Sequence, residues 1–168
     1  MWIGLEGVLL VFVRMLKKKL GVEGIEKDIW GLGEIGLYFK IPFPLIIPEG
    51  CEKVGTWAFW CCMRLRKVVI PESVKEIGSF AFRGCKSLEK VVIPESVEMI
   101  GEYAFLECEK LEKVKIPKSV NIIGRSAFYS CKSAEVTIEK PVKNFKYIGP
   151  TAFENCKSVK YAEEEAGN

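Results

Sequence analysis

The sequence predicts a solenoid in which a unit of 23 residues is stacked several times along the chain. The heptapeptide Val91–Val97 copies Val68–Val74, which lies 23 residues earlier. Prolines and Ala-Phe pairs recur at the same spacing: Pro48, Pro71, Pro94 and Pro117, and pairs that begin at Ala58, Ala81, Ala104 and Ala127. A fixed period of this length is typical of repeats that bury their apolar face only against neighbouring repeats.

Each unit opens with a short strand. In the segment Leu88–Ile93, apolar residues alternate with residues that would face outward, which is the pattern of a half-buried strand. Pro94 has no backbone N–H to donate and should end this strand. Val97 and Ile100 follow three residues apart, and we expect both to point back into the core through the return segment.

The second half of each unit predicts a turn followed by helical turns. A glycine recurs at positions 55, 78, 101, 124 and 149, and either a positive φ or a close backbone approach between units would explain it. The spacing of Ala104, Phe105 and Cys108 suits one or two helical turns on the outer side, with Phe105 and Cys108 facing inward.

Five of the seven cysteines follow the repeat. We call one turn of the solenoid a rung. Successive rungs about 4.8 Å apart would bring only two thiolates close to one metal ion, and no histidine or Cys-x-x-Cys pair completes a site. A disulfide between adjacent rungs is geometrically allowed, whereas free buried thiols pack in a ladder without one. We predict reduced, aligned thiols beside a ladder of phenylalanines: Cys62, Cys85, Cys108, Cys131 and Cys156, with Phe59, Phe82, Phe105, Phe128 and Phe153.

Composition and motifs argue against several functional classes. The net charge is +3, from 25 Lys+Arg and 22 Asp+Glu, which is too small an excess to indicate nucleic-acid binding. The chain has no histidine, the commonest general base and zinc ligand. It has no nucleophile elbow and no phosphate-binding loop. We therefore predict no enzymatic activity and no cofactor, and an enzyme that uses Cys61 is the third alternative.

Residues 1–46 do not follow the repeat. The apolar run Gly7–Val13 precedes Arg14 and the lysines 17–19, so its charges are on the wrong side for a signal peptide, and no small-residue cleavage site follows. The run is also too short to span a membrane, which needs about 20 apolar residues. A cap over the first rung, a targeting or membrane element, and a disordered remnant are the three interpretations, and we favour the cap.

The pattern Leu-x-x-Val-x-Ile-Pro-x-Ser-Val-x-x-Ile-Gly-x-x-Ala-Phe-x-x-Cys resembles the BspA-like class of leucine-rich repeats. The resemblance covers residues 47–161 in five copies of about 23 residues. It implies an α/β-type, right-handed leucine-rich repeat solenoid with a parallel sheet on one face and short helical turns on the other. The chain then divides into a capping segment (1–46), the five repeats (47–161) and an acidic C-terminal tail (162–168).

The outer face of the strands is the candidate binding surface. Three lysines recur at the same strand position, and apolar or basic residues occupy the outward position between the buried ones. This strip would suit a partner with acidic groups, and a solvated sheet face with alternating charges explains it equally well. The candidate partner-binding residues are Arg66, Lys67, Val69, Glu89, Lys90, Val92, Glu112, Lys113 and Lys115.

The leading functional hypothesis is a non-enzymatic protein-interaction module of the adhesion type. The resemblance implies a protein partner on a host or another cell, and residence at the cell surface or outside the cell, although no signal peptide is recognisable. The alternative is a structural module that assembles with itself, at least weakly. We expect no nucleic-acid partner, no metal and no stable membrane span.

Overall fold

The computed structural model describes residues 28–29, 44–47 and 49–162, and this part of the chain forms a solenoid of parallel strands. Each rung contributes one strand to each of two sheets, and each sheet has six strands in the described residues. The long-strand sheet consists of Leu45–Ile46 (β2), Lys67–Val69 (β4), Lys90–Val92 (β6), Lys113–Ile116 (β8), Glu135–Ile138 (β10) and Ser158–Tyr161 (β12). The short-strand sheet consists of Asp28–Ile29 (β1), Lys53–Val54 (β3), Glu76–Ile77 (β5), Met99–Ile100 (β7), Ile122–Ile123 (β9) and Tyr147–Ile148 (β11).

The long-strand sheet confirms the alternation that the sequence predicts. The valine in the middle of β4 and β6, Val68 and Val91, is at most 3% exposed, while the residues on both sides of it face solvent. Pro117 follows β8 directly, and its lack of an N–H ends the ladder there. The solenoid of stacked repeats is therefore confirmed, whereas its right-handedness stays a prediction.

The short-strand sheet lies where the sequence predicts only a return segment. Each of its strands has two residues, and the second is buried in β3, β5, β7 and β9: Val54, Ile77, Ile100 and Ile123. Neighbouring rungs pair here in parallel, for example Ile77 with Ile100. The predicted inward position of Ile100 is thus correct, and the return segment adds a second ladder of backbone hydrogen bonds.

The third side of the solenoid consists of successive β-turns, so the predicted helical turns are not confirmed. This turn side comprises the residues between each short strand and the next long strand. The N–H of Phe59 donates to the carbonyl of Ala81 in the next rung at 2.7 Å, while the N–H of Ala58 closes a turn onto Gly55 at 3.2 Å. Because alternate N–H groups bond to the neighbouring rung, they are not free for the i→i−4 bonds of an α-helix. The only helix in the described residues is the 3₁₀-helix Val142–Asn144.

Left-handed backbone conformations also explain why the turn side is not helical. Trp57 and Cys61 have φ of 63° and 54°, and each later rung has positive φ at the two equivalent positions. A residue with positive φ cannot continue a right-handed helix. The later pairs are Phe80 and Gly84, Tyr103 and Glu107, Ser126 and Ser130, and Thr151 and Asn155.

Phenylalanine rings form the predicted ladder through the core. Each ring stacks on the ring of the next rung with centroids 4.9–5.6 Å apart and planes within 13° of parallel. The first four rings are at most 1% exposed, and the last is half-buried. Their order along the solenoid is Phe59, Phe82, Phe105, Phe128 and Phe153.

The repeat cysteines are aligned beside these rings, as predicted. All seven cysteines of the chain lie in the described residues, and none of them forms a disulfide. Four of the thiols donate to the carbonyl of a phenylalanine in the preceding rung at 3.1–3.3 Å. The pairs are Cys85 with Phe59, Cys108 with Phe82, Cys131 with Phe105, and Cys156 with Phe128.

Close approach of the backbones of neighbouring rungs, and not a positive φ, explains the repeated glycine. A Cβ added at Gly101 would lie 2.5 Å from the amide nitrogen of Ser79 in the preceding rung. The same clash with backbone atoms occurs at Gly78, Gly124 and Gly149, and none of these glycines has positive φ. Side chains are therefore excluded at this position because the rungs touch there.

The last full rung keeps both strands despite its longer connection. β10 pairs with β8 and β11 pairs with β9, and the extra residues lie in the loop between β10 and β11. Lys140 in this loop is 7% exposed, donates to Oδ1 of Asn121 at 2.9 Å and lies 4.4 Å from the centre of the Phe145 ring. Burial lowers the pKa of Lys140.

The predicted domain boundaries remain predictions. Most of the proposed capping segment, 1–46, lies outside the described residues, as do residues 163–168 of the proposed acidic tail. Two strands of the capping segment are described: β1 pairs with β3, and β2 pairs with β4.

The glycine contact predicts a large difference between two alanine substitutions. Gly101→Ala should lower the free energy of unfolding by about 3 kcal/mol or more, because its methyl group would overlap the preceding rung's backbone, which cannot move aside as a flexible side chain could. Gly50 has a φ of 86° but no atom within 4 Å of an added Cβ, so Gly50→Ala should cost only the left-handed penalty of about 1 kcal/mol. Urea unfolding of both variants measures this, and an equal loss would contradict direct contact between the rungs.

The phenylalanine ladder predicts that truncating one of its rings lowers the free energy of unfolding. Phe105→Ala should lower the free energy of unfolding by about 3–5 kcal/mol, since the ring is fully buried between Phe82 and Phe128. Tyr103→Ala, at a half-buried position two residues away, is the matched control and should cost less. A loss below about 1 kcal/mol for Phe105→Ala would mean that the ring is not in the core.

Thiol burial predicts slow reaction with a thiol reagent under native conditions. Desolvation raises the pKa of the half-buried Cys61, and burial raises the pKa of Cys156 to about 12. At about pH 8 both should therefore react more slowly than a free cysteine, and the rate should rise with pH as the thiolate forms. All seven thiols should react quickly in denaturant. A native Cys61 that reacts faster than free cysteine would instead support a functional thiol.

Candidate protein-interaction surface

The structure brings all nine predicted binding residues to the outer face of the long-strand sheet or to the residues that lead into its strands. Eight of them are exposed, and Glu89 is half-buried. β4, β6 and β8 carry these residues at equivalent positions because the three strands pair in parallel with a constant offset of one repeat. The sequence therefore predicts the position of this surface correctly, whereas its role in binding stays a prediction.

Three lysines form a column across the rungs. Lys67 is in register with Lys90, and Lys90 with Lys113. Neighbouring strands lie about 4.8 Å apart, so the three positive charges are held close together at a cost in repulsion. In the described part of the chain, these lysines have no carboxylate within 4 Å, whereas Lys115 bonds to Glu139 at 2.8 Å. We call Lys67, Lys90 and Lys113 the lysine column.

The remaining charged candidates are only partly neutralised. Nε of Arg66 lies 3.9 Å from a carboxylate oxygen of Glu89, which is a weak and exposed contact. The hydrogen bond to Glu139 raises the pKa of Lys115, and the nearby charge of Glu95 adds to this rise. The charge of Glu135 is paired with Lys157 at 2.7 Å, which lowers the pKa of the Glu135 carboxyl, and Lys113 contributes to the same shift.

An apolar column runs beside the lysine column. Ile46 is in register with Val69, and Val69 with Val92. These side chains are 46%, 37% and 54% exposed, so three adjacent rungs present branched apolar groups to solvent. Ile46 is absent from the predicted site, although its place one repeat before Val69 was a signal that could have found it. We call Ile46, Val69 and Val92 the apolar column.

Acidic residues on the far side of the apolar column were also missed. Glu72 and Glu95 are exposed and follow β4 and β6 in turns that start at a proline. The N–H of Val74 closes the first turn onto Pro71 at 3.1 Å. The repeated sequence Val-Val-Ile-Pro-Glu-Ser-Val placed both glutamates one repeat apart, and this was the available signal. The equivalent position in the next rung is a lysine, Lys118.

The turn side carries a second aromatic stack on its outer surface. Trp57 stacks on Phe80 with centroids 4.1 Å apart, and Phe80 stacks on Tyr103 at 4.9 Å. Trp57 is 41% exposed, and Trp60 meets it edge-on at 5.7 Å. The faces of the stacked rings are largely occupied by one another, so mainly their edges face solvent.

Neither a metal site nor a membrane-spanning helix occurs in the residues that the structure describes. No three side chains of His, Cys, Asp or Glu in residues 44–47 and 49–162 are placed to hold one ion. Within the same residues, no helix has the length and apolarity to cross a bilayer.

Solved structures of bacterial repeat proteins resemble this fold. A leucine-rich repeat protein of T. pallidum matches with a TM-score of 0.62 and 34% identity, over 69% of this chain and 57% of that one. A leucine-rich cell surface protein of Faecalibacterium prausnitzii matches with a TM-score of 0.64 and 29% identity, over 73% of this chain and 33% of that one. The pneumococcal vaccine antigen PcpA shares the fold, with a TM-score of 0.60 and 22% identity over 73% of this chain and 31% of its own.

The matches cover only about a third to just over half of the length of these solved proteins. No protein of curated function matches its sequence. A family model for the BspA-type leucine-rich repeat region matches residues 44–160 with six copies of the repeat. The chain belongs to the family of BspA-type leucine-rich repeat proteins.

Proposed function

We propose that this chain is a non-enzymatic, adhesion-type module that binds an acidic protein partner on the outer face of its long-strand sheet. Membership of a leucine-rich repeat family supports a protein-interaction or surface repeat module, and such repeat folds are generally non-catalytic. The similarity to a protein described as a cell surface protein supports residence at the cell surface.

The observation that carries the proposal is the lysine column beside the apolar column. Stacking Lys67, Lys90 and Lys113 in register costs repulsion, and no carboxylate of the described residues lies within 4 Å of them. A partner that places carboxylates over the lysines would relieve this repulsion. The same partner would also bury the apolar side chains of Val69 and Val92, which the fold leaves exposed to solvent.

The size of the surface predicts modest affinity. Six strands at about 4.8 Å give a sheet roughly 24 Å long. A strip of this length and about one strand wide offers about half of the roughly 800 Å² per partner in a standard interface. The described residues alone should therefore bind with a dissociation constant in the micromolar range or weaker, and several copies acting together would bind more tightly.

Partner capture with paired charge reversals tests the proposal. The immobilised chain is incubated with proteins from its native cellular surroundings at low and at high salt, and the Lys90→Glu/Lys113→Glu variant is used in parallel. The specific partner should be captured at low salt, be lost at high salt and fall at least about tenfold with the double variant, because these lysines attract its carboxylates.

The matched control is Lys75→Glu/Lys146→Glu, which reverses two exposed lysines beside the short-strand sheet. This variant has the same net charge as the test variant and should capture the partner as well as the original chain does. A partner whose capture is indifferent to salt and to the Lys90 and Lys113 substitutions would show that another face binds it, and the aromatic turn side would be the next surface to test.

A further inference from the structure

Two adjacent rungs present the same order of charges across the outer face of the long-strand sheet. In each, an exposed lysine is followed by an exposed valine and then by an exposed glutamate: Lys67, Val69 and Glu72, and then Lys90, Val92 and Glu95. The lysines are in register with each other, as are the valines. The face is therefore basic on one side, apolar in the middle and acidic on the other side.

The lysine precedes the valine by two residues and the glutamate follows it by three, so the two charges flank the apolar column at comparable separations along the chain. Lys90 and Val92 are two residues apart on β6, which corresponds to about 7 Å along a strand. Glu95 lies three residues beyond Val92, in a turn closed by the N–H of Val97 on Pro94 at 3.1 Å. In agreement with this position, its charge contributes to the raised pKa of Lys115, the outward residue of β8, after the larger effect of Glu139.

We propose that this face binds a second copy of the chain through a two-fold axis that runs along the solenoid and through the apolar column. Such an axis keeps rung against rung and reverses the strand direction. Lys90 of one copy then faces Glu95 of the other, and Glu95 of the first faces Lys90 of the second. Lys67 and Glu72 pair in the same way, and Val69, Val92 and Ile46 meet their own counterparts. An interface of this kind is isologous, since the same patch serves both copies.

The next rung makes the contact weak. It carries lysine at all three positions, Lys113, Lys115 and Lys118, and across the same axis Lys113 would face Lys118. Only the rungs of β4 and β6 then carry complementary charges, while the rung of β2 adds the apolar Ile46 but has Pro44 in place of the lysine. Three strands cover less area than the roughly 800 Å² per copy of a standard interface. We expect a dissociation constant of about 0.1–1 mM for the wild-type chain.

Two single charge reversals and their mixture test the symmetry. Lys90→Glu places glutamates face to face twice in a dimer, and Glu95→Lys does the same with lysines, so each variant alone should dimerise at least about tenfold more weakly. In an equimolar mixture, the introduced glutamate of one variant faces the introduced lysine of the other. The remaining pair across the axis is the original one, Glu95 with Lys90, so the mixed dimer should recover the wild-type dissociation constant. Sedimentation with one variant labelled measures both effects, and Lys75→Glu should leave the association unchanged.

A gain of association gives the sharper result. Lys118→Glu restores the acidic side chain of the earlier rungs, so that Lys113 would face a carboxylate across the axis and the dissociation constant should fall about tenfold or more. The proposal is overturned if Lys118→Glu stays monomeric up to about 1 mM, or if the mixture associates no better than its components. Either result leaves the acidic-partner proposal standing, because that proposal is tested with the heterologous partner and not with self-association.

Discussion

Backbone contact between successive rungs is the constraint on which the rest of this structure depends. Hydrogen bonds link neighbouring rungs along both sheets and also along the turn side, where Phe59 bonds to Ala81. At the glycine position, the rungs approach so closely that a single methyl group at Gly101 would overlap the preceding backbone. Every rung must therefore follow the same path with the same number of residues, and this requirement produces the period of 23. The last full rung departs from that length only in a loop, which Lys140 ties back to Asn121.

Identical rungs in register determine what the interior can contain. Each buried residue contacts its own counterparts above and below, so a side chain is suitable only if it packs against a copy of itself. Phenylalanine meets this condition by offset stacking at about 5 Å. Cysteine meets it because its thiol donates to the carbonyl of Phe59 or an equivalent residue without needing a second polar partner. The outer positions are free of this condition, and there the rungs differ, as Glu72 and Lys118 show.

Much of the fold could be predicted from the sequence because the period alone fixes which residues are neighbours. Val68, Phe105 and Cys108 lie inside as expected. The helical turns were not confirmed because the Ala-Phe-x-x-Cys spacing fits a helix and a pair of β-turns equally well. Hydrogen bonds between neighbouring rungs decide in favour of the β-turns, and these bonds cannot be seen in the sequence of a single unit. Two-residue strands such as Met99–Ile100 are too short to show alternation. For the surface, the strand residues were predictable, whereas the position of Glu95 depends on where the chain turns after its proline.

The same lysines serve both proposed contacts, so binding a partner and binding a second copy exclude each other. Lys90 cannot face a partner's carboxylate while it faces Glu95 of another copy. The rung that carries Lys113, Lys115 and Lys118 biases this competition, since it repels a second copy but attracts an acidic partner. A weak contact between copies would cover Val69 and Val92 when no partner is present and yield to a partner with more carboxylates. The departure of Lys118 from the glutamate of the earlier rungs is thus consistent with a face that pairs with itself only weakly and stays accessible.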